Sequence, residues 1–159
     1  MSAYGKTSAH AVCVLVLFMI GCGPVDLSRP LDRNSVAWKI FEQHRSVPVE
    51  PSDDVLSRHF SFSDVMINLR DDLDGQWIEV FCVPHRRSGD FSDVRHFNLE
   101  IECVFERGDP FRWSTTMRPS SNRLNLSELA VRNSEHPPTR INVRLISVES
   151  ASPNHRDSR

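Results

Sequence analysis

The chain reads as a mainly β protein: a single antiparallel β-sandwich with one short N-terminal helix, behind a signal peptide. Three observations predict this class. From about residue 60 the apolar residues recur every second position, most cleanly where Phe97, Leu99, Ile101, Cys103 and Phe105 alternate with Asn98, Glu100, Glu102, Val104 and Glu106. Turn-forming clusters rich in Asp, Gly and Pro separate about six such short segments. All 10 prolines lie beyond residue 21, which disfavours long helices there.

The first 21 residues stand apart. Lys6 is their one charge, and Ala11 to Ile20 (AVCVLVLFMI) is an unbroken apolar run. A positive start, a short apolar core and a small residue before a cut are the parts of a secretory signal. Crossing a bilayer takes about 20 apolar residues, so this run is too short to span one. Met19-Ile20-Gly21-Cys22 closes the run and resembles the lipobox of bacterial lipoproteins, with Met19 where Leu is usual. That resemblance implies cleavage before Cys22, a diacylglycerol on the Cys22 thiol, and an envelope protein held to its membrane by lipid. Two acyl chains suffice for stable anchoring, at about 0.8 kcal/mol per buried CH₂. Gly23 is compatible with the outer membrane under the family's enterobacterial sorting rule, in which Asp retains a protein at the inner membrane.

Removing 21 of the 159 residues leaves 138, one domain's worth, with a formal net charge of −3. There is no basic surplus of the kind nucleic-acid binding requires. The expected organisation is a signal peptide over 1–21, a tether over 22–34, a β-sandwich domain over 35–149 and a polar, disordered tail over 150–159.

Each element has its own justification. Ser35 to Arg45 (SVAWKIFEQHR) places Val36, Ala37, Ile40, Phe41 and His44 on one helical face, with Asn34 or Ser35 as the cap and Val47-Pro48-Val49-Glu50-Pro51 as the breaker. Val65, Ile67 and Leu69 alternate with Met66, Asn68 and Arg70, and Asp71 to Gly75 turns the chain. Trp77 to Val83 (WIEVFCV) is nearly continuous in apolar content, which predicts a strand covered on both faces. Residues 84–96 read as a polar loop, then comes the strand over 97–105, half oily and half acidic. Arg107-Gly108-Asp109-Pro110 is read as a turn rather than an adhesion motif. Phe111 to Met117 and Leu124 to Leu126 are weaker strands. Arg140 to Glu149 (RINVRLISVE) is the last strand; its inward set changes phase at Leu145-Ile146, which predicts a bulge or burial on both faces. The run of 111–117, LNLSEL (124–129) and RINVRLISVE is similar to the closing strands of the galactose-binding-like jelly rolls of carbohydrate-binding modules. That similarity implies a jelly-roll-like sandwich.

Of the four cysteines, the lipobox resemblance implies that Cys13 would leave with the signal and Cys22 would carry lipid. Cys82 and Cys103 remain, an even number in an oxidising compartment, and are expected to form a disulfide. A hairpin about the 84–96 loop would set them opposite each other. The spacing is not that of a C-x-x-C redox pair. Asp71, Asp72 and Asp74 before Gly75 fail the EF-hand pattern, because its first and twelfth positions would be Arg70 and Phe81. The seven histidines show no zinc spacing, and His85 and His96 bracket one loop. No P-loop, G-x-S-x-G elbow or G-x-G-x-x-G occurs. No metal or cofactor is expected. Trp77 and Trp113 are the candidate ligand-binding residues, as platforms on which a sugar could stack. The expected role is a non-enzymatic binding or structural module, with the membrane, a glycan or an envelope protein as partner and no nucleic acid. An enzyme with a dispersed site is the alternative.

Overall fold

The computed structural model describes residues 31–151 except Arg45, Leu73 and Asp74, and describes Asp72 by its backbone alone. The expected signal peptide, the lipidated Cys22, most of the tether and all of the tail beyond Ala151 lie outside the described residues. The protein is mainly β. A helix α1 (Val36–Glu42) leads to a short strand β1 (Val49–Pro51), a second helix α2 (Asp54–His59) and strand β2 (Phe60–Phe62). Strands β3 (Met66–Asp72), β4 (Gly75–Cys82), β5 (Pro84–Arg86), β6 (Val94–Val104), β7 (Phe111–Met117) and β8 (Leu124–Asn125) follow. A short helix α3 (Glu128–Val131) and strand β9 (Arg140–Ser150) complete the chain.

Helix α1 lies within the segment that sequence periodicity marks. Ser35 caps it by accepting the Trp38 N–H, and His44 ends it in the left-handed region at φ 46°. Val36, Ala37 and Ile40 are buried; Phe41 is half-buried and His44 is exposed.

The strands form a four-stranded sheet in the order β1-β9-β6-β7, a three-stranded sheet in the order β3-β4-β8, and a two-stranded β2-β5 ribbon. All pairings are antiparallel except β1 with β9. The segment read as a helix breaker thus supplies an edge strand, the one place where a proline such as Pro51 costs no central ladder bond. Residues 84–96 are likewise more than a loop, because Pro84–Arg86 pairs with Phe60–Phe62.

The β6–β9 ladder contains the bulge predicted by the phase change. Asn98 faces Ser147 and Leu99 faces Leu145, so Ile146 is the extra residue. The Leu145 N–H bonds to Asp53 Oδ2 at 2.8 Å. Both larger sheets feed one hydrophobic core. Ile78, Val80 and Cys82 come from β4; Leu99, Ile101 and Cys103 from β6; Ile141 and Val143 from β9; and Val36, Ala37 and Ile40 from α1.

The predicted hairpin between β4 and β6 does not form. Strand β4 pairs with β3 and β8, while β6 pairs with β7 and β9. The β2–β5 ribbon carries the chain from one sheet to the other, so the two strands never become neighbours. The Cys82–Cys103 disulfide is accordingly corrected: both thiols are free and buried, one in each sheet. Burial pushes each up to about 12, so neither is a ready thiolate.

Candidate functional site

The outer face of the three-stranded sheet carries the most concentrated chemistry around a predicted site residue. Alternation along β4 turns Ile78, Val80 and Cys82 to the core and Trp77, Glu79 and Phe81 outward. The β3–β4 register sets Arg70 opposite Trp77, Asn68 opposite Glu79 and Met66 opposite Phe81. Cross-strand partners share a face, so these six line up as one surface. Asn125 of β8 adds a further row beside Phe81.

Two guanidinium groups lie over two rings. Arg70 sits 5.0 Å from the Trp77 ring centre and Arg123 sits 4.5 Å from that of Phe81. Glu79 lies between them, 3.5 Å from Arg70 and 2.8 Å from Arg123, and accepts from Asn68 Nδ2 at 3.4 Å. The carboxylate therefore fixes both cations above their aromatic partners. Phe81 is only 8% exposed although it points away from the core, because Arg123 covers it. The expectation that this strand is covered on both faces is met here by an arginine rather than a second sheet.

Beside the covered rings runs a groove of about 220 Å³, lined by Trp77, Phe81, Arg123, Asn125 and Ser127. Asn125 Oδ1 accepts from the Ser127 N–H at 2.8 Å and hydroxyl at 2.6 Å, which orients its amide at the rim. The Trp77 Nε1 is buried and has no hydrogen-bond partner among the described residues. An aromatic wall with a few oriented polar groups is the composition of a small-ligand site. The volume is below the usual range for drug-sized molecules, about 300–1,000 Å³, and suits a single ring or side chain.

The second predicted platform is elsewhere. Trp113 pairs with Ile101, so it faces the core side of the four-stranded sheet, half-buried on edge strand β7 with Phe111 at 5.3 Å. Arg132 covers Phe111 at 4.8 Å. Trp77 and Trp113 therefore belong to separate sheets and do not form one site. The strands likened to jelly-roll closing strands are also dispersed: β7 and β9 flank β6, whereas β8 joins β4. His85 is exposed on β5, while His96 Nε2 accepts from Arg118 Nε at 3.4 Å. Arg107-Gly108-Asp109 joins β6 to β7, with Gly108 at φ 93°. No group of three or more His, Cys, Asp or Glu side chains placed to hold a metal occurs among the described residues.

The outer face of the four-stranded sheet is polar but internally matched. Glu102 accepts from Asn142 and Arg112, both at 2.8 Å, and these bonds hold its carboxyl below the usual range. Glu100 pairs with Arg144 at 2.8 Å.

Sequence reasoning singled out Trp77 but not Arg70, Phe81 or Arg123, which the structure places beside it. The turn over 71–75 held the signal for Arg70, since it fixes the register that sets residue 70 against residue 77. Nothing local marks Arg123, which arrives through the distant β8 pairing. No family model, curated protein or solved structure matches the chain.

Proposed function

We propose that the protein is a non-enzymatic binding module of the bacterial cell envelope, anchored by lipid on Cys22 and presenting a single β-sandwich domain to a glycan. The sandwich reading is supported by the two larger sheets, each of which contributes one face to a common core. Anchoring rests on the Met19-Ile20-Gly21-Cys22 sequence and the apolar run before it. Among the described residues no helix is long and apolar enough to cross a membrane.

The single observation that carries the binding role is the groove along Trp77 and Phe81, with Arg123 and Asn125 at its rim. One sugar ring matches it in size. Its hydroxyl groups would meet the guanidinium and amide donors, while its apolar face would lie against the half-buried Trp77 where it lines the groove. Titrating the full chain with oligosaccharides released from envelope preparations tests this reading. Trp77→Ala and Arg123→Ala should each weaken binding by about tenfold or more, as expected for losing an anchor or a charged hydrogen-bond donor. Trp113→Phe should leave it unchanged. Equal losses in all three variants, or no saturable binding, would refute it. For anchoring, the intact mass of membrane-purified protein should show a diacylated N-terminal Cys22. Cys22→Ser should release the chain from membranes; retention of that variant would overturn the lipid reading.

A further inference from the structure

A different corner of the molecule gathers three arginines, two of which have no carboxylate at ion-pair distance among the described residues. The end of β5, the start of β6 and the residues after β7 enclose a pocket of about 390 Å³. Arg86, Arg95 and Arg118 line it from those three segments, and Phe91 and Val94 give it an apolar side. Phe91 is fixed to the core, stacked on Phe60 at 5.5 Å and edge-on to Phe97 at 5.3 Å. Arg86 lies 4.9 Å over Phe91 and donates to the Gly89 carbonyl. Arg118 is steadied by its Nε bond to His96.

Four arginines elsewhere on the molecule offer a contrast. Arg70, Arg112, Arg123 and Arg144 each pair with Glu79, Glu100 or Glu102. At the corner, Arg95 pairs with Glu149 at 3.2 Å, but neither Arg86 nor Arg118 has a carboxylate at ion-pair distance among the described residues. A guanidinium carries five N–H donors in a planar fork that matches the oxygens of a phosphate. Arg86 and Arg118 each commit one donor to a neighbour, so most of both forks remains for a ligand. Asp90 is the opposing charge on the wall. Its Oδ1 accepts from the Ser92 N–H at 3.0 Å, and the Ser92 bonds, aided by Arg86, hold its carboxyl below the usual range.

We propose that this corner is an anion site in which Arg86 and Arg118 grip the oxygens of a phosphate group. The same chemistry is offered by a soluble phosphate ester and by a phospholipid headgroup. The site is separate from the Trp77 groove and does not depend on what that groove binds.

Titration of the isotopically labelled full chain with inorganic phosphate at low ionic strength, followed by NMR, is the test. Saturable shifts should centre on Arg86, Phe91 and Arg118. Arg86→Ala and Arg118→Ala should each weaken binding by about tenfold or more, the cost of a charge-assisted hydrogen-bond pair. Arg118→Lys, which keeps the charge and loses the fork, should also weaken it. Asp90→Asn should tighten it, and Arg112→Ala should change nothing. Absence of saturable shifts, or an equal loss in Arg112→Ala, would overturn the proposal. A second arm compares retention of the chain and of Arg86→Ala on phosphatidate and phosphatidylcholine vesicles. A phosphatidate preference that vanishes in Arg86→Ala identifies the headgroup as the source. Phosphate saturation without that preference identifies soluble esters.

Discussion

Gly89 shows how much one residue fixes in the polar 84–96 segment. Its φ is 104°, and a Cβ there would stand 2.9 Å from both the His59 ring and Phe91. The turn needs glycine for its backbone angle and for the close approach of two rings. Gly89→Ala should destabilise the protein by about 1–3 kcal/mol in urea unfolding and displace Phe91. The buried thiols make a second prediction at this scale. Burial pushes Cys82 and Cys103 up to about 12, whereas an unfolded thiol titrates near 8.5. Between those values the unfolded chain has released protons that the folded chain still holds, so stability falls as pH rises. The contribution is complete at neutral pH and declines above about pH 8.5, by about 1.4 kcal/mol per pH unit for each thiol. Unfolding midpoints compared at pH 8 and pH 10 should show this loss, and a Cys82→Ala/Cys103→Ala double variant should show less of it.

Asp53 joins elements that are distant in sequence. Its Oδ1 caps α2 by accepting the Leu56 N–H at 2.7 Å, and its Oδ2 accepts the Leu145 N–H at the β9 bulge at 2.8 Å. A helix start and a ladder irregularity are thus satisfied by one carboxylate. Removing it leaves two partly buried donors without partners. Asp53→Ala should cost about 2–4 kcal/mol by chemical denaturation, more than an ordinary cap of about 1 kcal/mol. Asp53→Asn, which keeps a single acceptor oxygen, should fall between Asp53→Ala and the parent. An Asn variant as stable as the parent would show that the double contact does not matter.

On the scale of the whole molecule, stability comes from a core shared by two sheets and α1 rather than from a cross-link. Ile101 is fully buried at the centre of β6 and Ile141 faces the same core from β9. Ile101→Ala should cost about 2–5 kcal/mol. With Cys82 and Cys103 both free, a reducing agent should leave the melting temperature unchanged. A fall of several degrees on reduction would instead indicate a bridge, since losing a disulfide typically costs about 2–5 kcal/mol.

Local periodicity determined the strands whose faces differ most. The Phe97–Phe105 alternation became β6, the Ser35-capped stripe became α1, and the phase slip at Leu145-Ile146 became a bulge. Each depends on contrast between neighbouring side chains, and a sequence displays that contrast directly. The mainly β class follows from the same signal. Pairing was decided only in three dimensions. Segments as short as β1, β2, β5 and β8 carry no period of their own and are strands because a partner satisfies their backbone groups. That is why the cysteines fell into different sheets, why Trp113 turned toward the core, and why Arg123 came to rest on Phe81. Alternation tells a residue which side of its own strand it occupies; which strand lies beside it depends on the long-range closure of the chain.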